Sequence, residues 1–490
     1  MIDAAWWRHA VVYEIYPRSF LDSDGDGRGD LRGLTTRLGH VAGLHADAIL
    51  LSPTFPSPLA DFGFDVTDFE GVDPVYGTLA DFDALVATAH GLGLHVLMNM
   101  VPSHTSIEHP WFREHPDWYV RVEGHGPPNN WETAFGGPAW SPDPLRPGWW
   151  YLHSFYPEQP NLDWNNPEVV AAMQGVVRFW TARGVDGFRL DAIDRLGFDP
   201  ELRDDPPRDG PPPLPALAEG PQLDPVYSRD GPGIAAALRH LRAAAGDRLL
   251  IGEVYLPAPH VRPYLEHVDL AFCFELLHAE FTAPAIAKAV HRALLPGSGG
   301  RGLAWVLSTI DFPRLASRVG PGAERVAALL LLTLPGVVFI HQGDEIGMTD
   351  GPGAQPSLDR AGRDVHRHPM QWDASEMGGF TTGAPWLPLV DPAERNVAAQ
   401  EHDPSSLLAL YRAATSIRAT LGDGIRVLDD VPAGLLAYMR GGDTMIVLNL
   451  THDERPCPVA GRVILDTDGH SGHAAPALIP PLAGMVIQAR

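Results

Sequence analysis

Eight short apolar runs, separated by stretches of helical periodicity, constrain this chain more than any other feature of its sequence. They are VVYEIYP (11–17), ADAILLSP (46–53), GLHVLMNMV (93–101), GVDGFRLDAI (184–193), RLLIGEVYL (248–256), VDLAFCFE (268–275), LAWVLSTID (303–311) and GVVFIHQGDE (336–345). Near-continuous apolarity over so few residues suits parallel strands buried on both faces. Segment 167–184 shows what lies between them: Val169, Met173, Val176, Val177 and Trp180 fall at helical spacing behind an Asn166-Pro167 start. Strand and helix alternating to this count predict an α/β chain closed into a (β/α)8 TIM barrel, with its chemistry at the C-terminal ends of the strands.

About 65 residues rich in Trp, His, Pro and Gly follow the third strand, far more than an ordinary βα loop holds. Residues 103–166 are therefore expected to form an inserted subdomain, with the catalytic barrel made from 1–102 and 167–405. Past residue 405, SSLLALYRAATSIRATLG reads as a helix, and LLAYMRGGDTMIVLNL as strands about a Gly-Gly-Asp turn. A C-terminal antiparallel β domain over 406–490 is the expectation. PPRDGPPPLP (206–215) is a Pro-rich patch, and Gly- and Pro-rich 198–235 follows the fourth strand, where it would cover the acceptor side of a site at the barrel mouth.

Lys and Arg total 36 against 61 Asp and Glu, and the formal charge of −25 argues against nucleic acid or an anionic membrane surface as partner. A small neutral substrate fits better. The opening MIDAAWWRHAVVYEIYPRSF lacks signal-peptide character, and no stretch reaches about 18 uninterrupted apolar residues, so a soluble cytoplasmic protein is expected. The two cysteines, Cys273 and Cys457, are far apart without metal-ligand spacing and read as reduced thiols.

Arg189 and Asp191 lie two apart on the fourth strand, so both side chains point into the barrel mouth. The guanidinium is expected to keep Asp191 ionised and to lower its pKa. Glu253, near the end of the next strand, supplies a second carboxyl, and Asp311, read as ending the seventh, a third. Two carboxyls in different environments are what glycoside hydrolysis needs: one ionised to attack the anomeric carbon, the other protonated to help the leaving group depart. A second motif, DSDGDGRGD (22–30), sets Asp22, Asp24, Asp26 and Asp30 among glycines. Carboxylate oxygens on a tight loop, with the backbone carbonyl of Arg28, suit a hard cation. The loop is no EF-hand, because its twelfth position is Gly33. No organic cofactor is expected.

The segments VVYEIYPRSFLDSDGDGRGDLRG, GFDVTDF (63–69), SHTSIEHPWF, PPNNWETAFGGPAW, YLHSFYPEQPNLDWNNPEV, GVDGFRLDAID, IGEVY, DFPRLASRVG, LLLLTLPGVVFIHQGDEIG and GRDVHRHPMQWD span nearly the whole chain. Together they make it resemble glycoside hydrolase family 13, the α-amylase family, and especially its α-glucosidase and oligo-1,6-glucosidase branch. The resemblance implies that Asp191 is the nucleophile, Glu253 the acid/base and Asp311 the carboxylate holding the 2- and 3-hydroxyls of the glucosyl unit. It further implies sugar contacts for Asp65, Phe64, His104, Phe135, Arg189 and Arg367, and a structural Ca²⁺ in the 22–30 loop. Asp65 with Arg367 would close the pocket on a terminal glucose, giving exo action. In this branch a small residue after the nucleophile, here Ala192, accompanies α-1,4 preference.

The chain departs from the family pattern at one sugar site. Thr309-Ile310-Asp311 stands for Asn-His-Asp, so Ile310 occupies a position where a histidine donates to the sugar. Asn99 and Ser103 replace the Asp and Asn of the strand-three motif, Phe64 the tyrosine of GYD, and His341-Gln342 the tyrosine pair before GDE. The reading is a retaining, exo-acting α-glucosidase. The alternatives are a glucosyl transferase or isomerase working on a trehalose-, sucrose- or secondary-metabolite-like glycoside, and a catalytically silent scaffold.

Overall fold

The computed structural model describes residues 6–489 except 213, 216–219, 295–301, 355–356 and 423. Parts of the readings at 1–20, 206–215, 198–235 and 406–490 therefore lie outside the described residues. Eight parallel strands close into a barrel: β1 (Val11–Ile15), β2 (Ala48–Leu51), β3 (His95–Met100), β7 (Gly187–Leu190), β8 (Leu249–Gly252), β9 (Leu270–Cys273), β10 (Leu303–Trp305) and β11 (Val337–His341). Each lies within one of the eight apolar runs. Between β3 and β7 in the chain, β4 (Arg121–Glu123), β5 (Trp140–Pro142) and β6 (Trp149–Leu152) form a three-stranded antiparallel sheet.

Helices cover the barrel, and their ends follow local chemistry. Pro167–Ala182 starts where the Asn166 side chain accepts from the Glu168 N–H, and it buries the predicted face of Val169, Met173, Val176, Val177 and Trp180. Leu79–Gly91 opens on a capping box between Thr78 and Asp81. Fully burying each such apolar side chain contributes roughly 1.5–3 kcal/mol before entropy is charged.

The period of two along each strand sets what faces the barrel axis. Val12, Leu97, Ile251 and Phe339 fill an apolar interior. One step further along their strands stand Glu14, Asn99, Glu253 and His341, so the interior turns polar at the C-terminal end. At β7 the same step runs from Gly187 through Arg189 to Asp191. Gly187 has no room for a side chain, since a Cβ there would fall 2.6 Å from the Leu249 carbonyl oxygen.

The third carboxylate departs from the strand reading. β10 ends at Trp305, and Asp311 sits instead on a tight turn, where its N–H donates to Thr309 Oγ1 at 3.1 Å. Arginine side chains take carbonyls beyond the strand: Arg318 donates to Leu307 at 2.7 Å and Arg367 to Ile310 at 2.9 Å. The run stays buried without continuing the ladder.

After the barrel come β12 (Ile425–Val427), β13 (Leu435–Arg440), β14 (Thr444–Asn449), β15 (Arg455–Pro456), β16 (Gly461–Asp466), β17 (Leu478–Ile479) and β18 (Gly484–Ala489). Five of them form an antiparallel sheet in the order β12-β13-β14-β18-β16, and β15 pairs with β17. Leu436, Tyr438, Ile446 and Leu448 join the main core, while Leu435, Ala437, Val447 and Met485 form a second cluster on the other face. Among the described residues, no helix is long and apolar enough to cross a membrane.

Candidate active site

At the C-terminal mouth of the barrel a cavity of about 1100 Å³, open to solvent, brings Asp191, Glu253 and Asp311 together with Asp61, Phe64, His104, Phe135 and Arg363. Arg189 organises the first two carboxyls. Its Nη1 donates to Asp191 and, at 3.0 Å, to Asn99 Oδ1, while Nη2 lies 3.1 Å from Glu253 Oε1. Asn99 and Arg189 are register partners across β3 and β7, which is why they meet.

Ala192 adopts a left-handed backbone, φ 46 and ψ 47, which costs a residue with a Cβ about 1–2 kcal/mol. That conformation aims the Ala192 N–H at Glu253 Oε2, 3.0 Å away. Glu253 is thus held by a guanidinium on one oxygen and an amide on the other.

The expected direction for Asp191 is overturned. Burial first, and then the negative charge of Glu253, push Asp191 well above the usual carboxylate range, outweighing Arg189. The shift lets Asp191 keep a proton at a pH where an isolated carboxyl would have lost it. Asp311 shifts the other way: burial works to raise it, but Arg363, Arg367 and Arg189 hold it below its ordinary range. Its Oδ1 accepts from Arg363 at 3.1 Å and from Arg367 at 2.9 Å.

Other expected contacts divide in two. Phe64, Phe135 and His104 line the cavity. Burial pulls His104 down to about 3, so it is neutral; its Nδ1 lies 2.9 Å from Ser103 Oγ and its Nε2 3.1 Å from the Phe64 carbonyl. Asp65 and Arg367, expected to close the pocket, stand behind its wall. Asp65 is 0% exposed, accepting from Ser57 Oγ at 2.7 Å, Ala60 N–H at 2.8 Å and Asp61 N–H at 3.0 Å. It shapes the loop that carries Asp61.

Asp61 and Arg363 line the cavity in their place, and Arg363 Nη2 donates to Asp61. Arg363 is anchored from behind by Asp359, through Nε at 2.9 Å and Nη2 at 2.7 Å. Arg363 lies in the motif GRDVHRHPMQWD, whereas Asp61 lies two residues before GFDVTDF begins. Ile310 packs into the apolar core, 3% exposed, and does not line the cavity. The turn at Thr309–Phe312 directs Asp311 to the cavity and Ile310 away from it.

In the 22–30 loop, carboxylate oxygens of Asp22, Asp24 and Asp30 lie within 4.8 Å of one another. Asp26 is outside this group and pairs with Arg28 at 3.4 Å. Burial tends to raise Asp22, yet bonds from Thr381 and the N–H groups of Gly25, Gly27 and Asp24 leave it lowered and able to serve as an anion. Asp30 also caps the helix Leu31–Gly43. Three convergent carboxylates are a donor set of the kind that suits a hard cation.

A closed (β/α)8 barrel bearing two carboxyls on one buried arginine, with a third beside them at its C-terminal mouth, defines a glycoside hydrolase. Residues 14–424 match the family model described as alpha amylase, catalytic domain, and the chain belongs to that family, glycoside hydrolase family 13. A probable alpha-glucosidase of Rhizobium meliloti (strain 1021) is 39% identical over 92% of this chain and 90% of its own length. An alpha-glucosyl transfer enzyme, XgtA, superposes with a TM-score of 0.90 at 34% identity, covering 99% of each chain. The trehalulose synthase MutB of Pseudomonas mesoacidophila MX-45 superposes with a TM-score of 0.85 at 28% identity, covering 99% of each chain.

Proposed function

We propose that this enzyme hydrolyses short α-glucosides from the non-reducing end with retention of configuration, favouring α-1,4 linkages. The observation that carries the reading is the sharing of Arg189 by Asp191 and Glu253 at the head of the cavity. In the first step Asp191 attacks the anomeric carbon as the glycosidic bond breaks, and Glu253 gives its proton to the departing oxygen. In the second, Glu253 takes a proton from water, whose oxygen displaces Asp191 and restores the α configuration. Asp311, kept ionised by Arg363 and Arg367, accepts from sugar hydroxyls, and Asp61 with Arg363 binds the terminal glucose. The likeness to a probable alpha-glucosidase supports the same reading.

Interception of the glucosyl-enzyme by a sugar or other hydroxyl in place of water is the second reading. The likeness to a glucosyl transfer enzyme and to a trehalulose synthase supports it. For the 22–30 loop we propose Ca²⁺ held by Asp22, Asp24 and Asp30. Bound there, it would tie the loop in place, since Asp22 also accepts from Thr381, and it has no part in bond cleavage.

The test is a time-resolved NMR analysis of products from maltose, isomaltose, sucrose, trehalose and p-nitrophenyl α-glucoside, with Asp191→Ala as control. We expect α-glucose to appear before β-glucose, fastest from maltose, and from the wild type alone. New glycosides in place of free glucose would favour transfer, and β-glucose first would exclude retention.

A further inference from the structure

The leaving-group side of the cavity carries a cation that the hydrolytic steps leave unused. Three arginines line it, Arg195, Arg208 and Arg229, against two acids, Asp194 and Asp224. Asp194 serves two of the three, with Oδ2 at 3.7 Å from Arg195 Nε and 3.6 Å from Arg229 Nη1. Arg229 Nη1 also donates to the Tyr255 carbonyl at 3.2 Å. Arg208 differs. Among the described residues no carboxylate lies within 4.0 Å of it; Nη2 donates to the Leu223 carbonyl at 2.6 Å, and Nε is buried without a partner. Asp224 shares this wall but is exposed to solvent.

The surroundings strengthen what such a group can do. Leu214, Pro212, Pro221 and Pro225 line the same side, and the rings of Tyr255 and Phe312 stack there at 5.9 Å. Walls of this kind exclude part of the water that would screen a charge. A guanidinium with free N–H donors in a ligand cavity is suited to a planar or tetrahedral oxyanion. Although the chain as a whole is strongly acidic, the described residues of this patch offer one more positive than negative group.

We propose that Arg208 recognises an oxyanion, carboxylate or phosphate, on the leaving group, so that the enzyme prefers anionic α-glucosides to neutral ones. The proposal rests on the α-glucosidase reading of the same cavity. Arg208 acts on binding and takes no part in proton transfer.

The experiment compares kcat/KM within two pairs of substrates: 4-carboxyphenyl against phenyl α-glucoside, and trehalose 6-phosphate against trehalose. The charged member of at least one pair should be favoured by about tenfold or more, the worth of one charge-assisted hydrogen bond. The pair that shows it tells carboxylate from phosphate. Arg208→Gln should bring that ratio close to one, and Arg208→Lys should retain much of it. A ratio near one in both wild-type pairs, or a preference that Arg208→Gln leaves intact, would overturn the assignment while the glucosidase reading stands. Turnover of none of the four while maltose is cleaved would overturn the assignment alone, and turnover of neither these nor maltose would overturn both.

Discussion

The two sides of the cavity are built differently. On the glucosyl side, charged groups come from strand ends and from arginines already matched to acids: Arg189 to Asp191 and Glu253, and Arg363 to Asp61, Asp359 and Asp311. On the leaving-group side a proline-rich connection after β7 supplies the wall, and Arg208 is left without an acid among the described residues. A wall whose charges are already matched gives one fixed geometry for one sugar. A loop-borne wall with a spare cation can be changed without disturbing the carboxyls, and it is there that substrate choice is set in this account.

That contrast is broken if the glucosyl side tolerates loss of its cation. Arg363→Ala leaves Asp61 and Asp359 buried without their partner, and we expect a loss of about 3–5 kcal/mol in stability, measured by denaturant unfolding, with activity falling alongside. Arg363→Lys should restore little, since one ammonium cannot reproduce the fork that meets three carboxylates. Next in size is Ile310→His. Because Ile310 lies in the core, the imidazole would be buried without a partner, and about 2–3 kcal/mol of stability should be lost with no gain in maltose turnover; higher turnover would show that the side chain reaches the sugar after all.

Asn99→Asp sharpens the electrostatic side of the comparison. A new anion beside Arg189 competes for its charge and raises Asp191 further. In the proposed mechanism Asp191 attacks as the anion, so the acid limb of the kcat/KM profile should move to higher pH by roughly one unit. The smallest effect is expected on the leaving-group side. Tyr255 donates to the Pro215 carbonyl at 2.5 Å and meets His278 Nε2 at 2.7 Å, tying the proline-rich wall to the barrel. Tyr255→Phe should cost about 1 kcal/mol and show itself mainly in KM for bulky leaving groups.

The same division explains what could be read in the sequence. All eight barrel strands were legible because each is a short apolar run, and Asp191 and Glu253 followed from their places at two of those runs. The end of β10 was not legible, since Leu307 and Ile310 stay buried while arginines from distant segments, Arg318 and Arg367, take their carbonyls. Asp61 and Arg363 were passed over for their neighbours Asp65 and Arg367. All four are charged residues in or just before the same two motifs, and only the fold of each loop decides which side chain reaches the cavity. The rise in the Asp191 pKa was hidden for a related reason: the sequence displays its cation two residues away but not the burial or the approach of Glu253. Arg208 carries no pattern at all, because what distinguishes it is the lack, among the described residues, of an acidic partner in three dimensions.

The central claim is that Asp191 forms the glucosyl-enzyme while Glu253 moves the proton. Its most direct test is to trap that intermediate with 5-fluoro-α-glucosyl fluoride and to locate the label by peptide mass spectrometry. The account predicts a single labelled peptide containing Asp191, and no label in Asp191→Ala. A label on Glu253 or Asp311, or none in an enzyme that turns over α-glucosides, would contradict it.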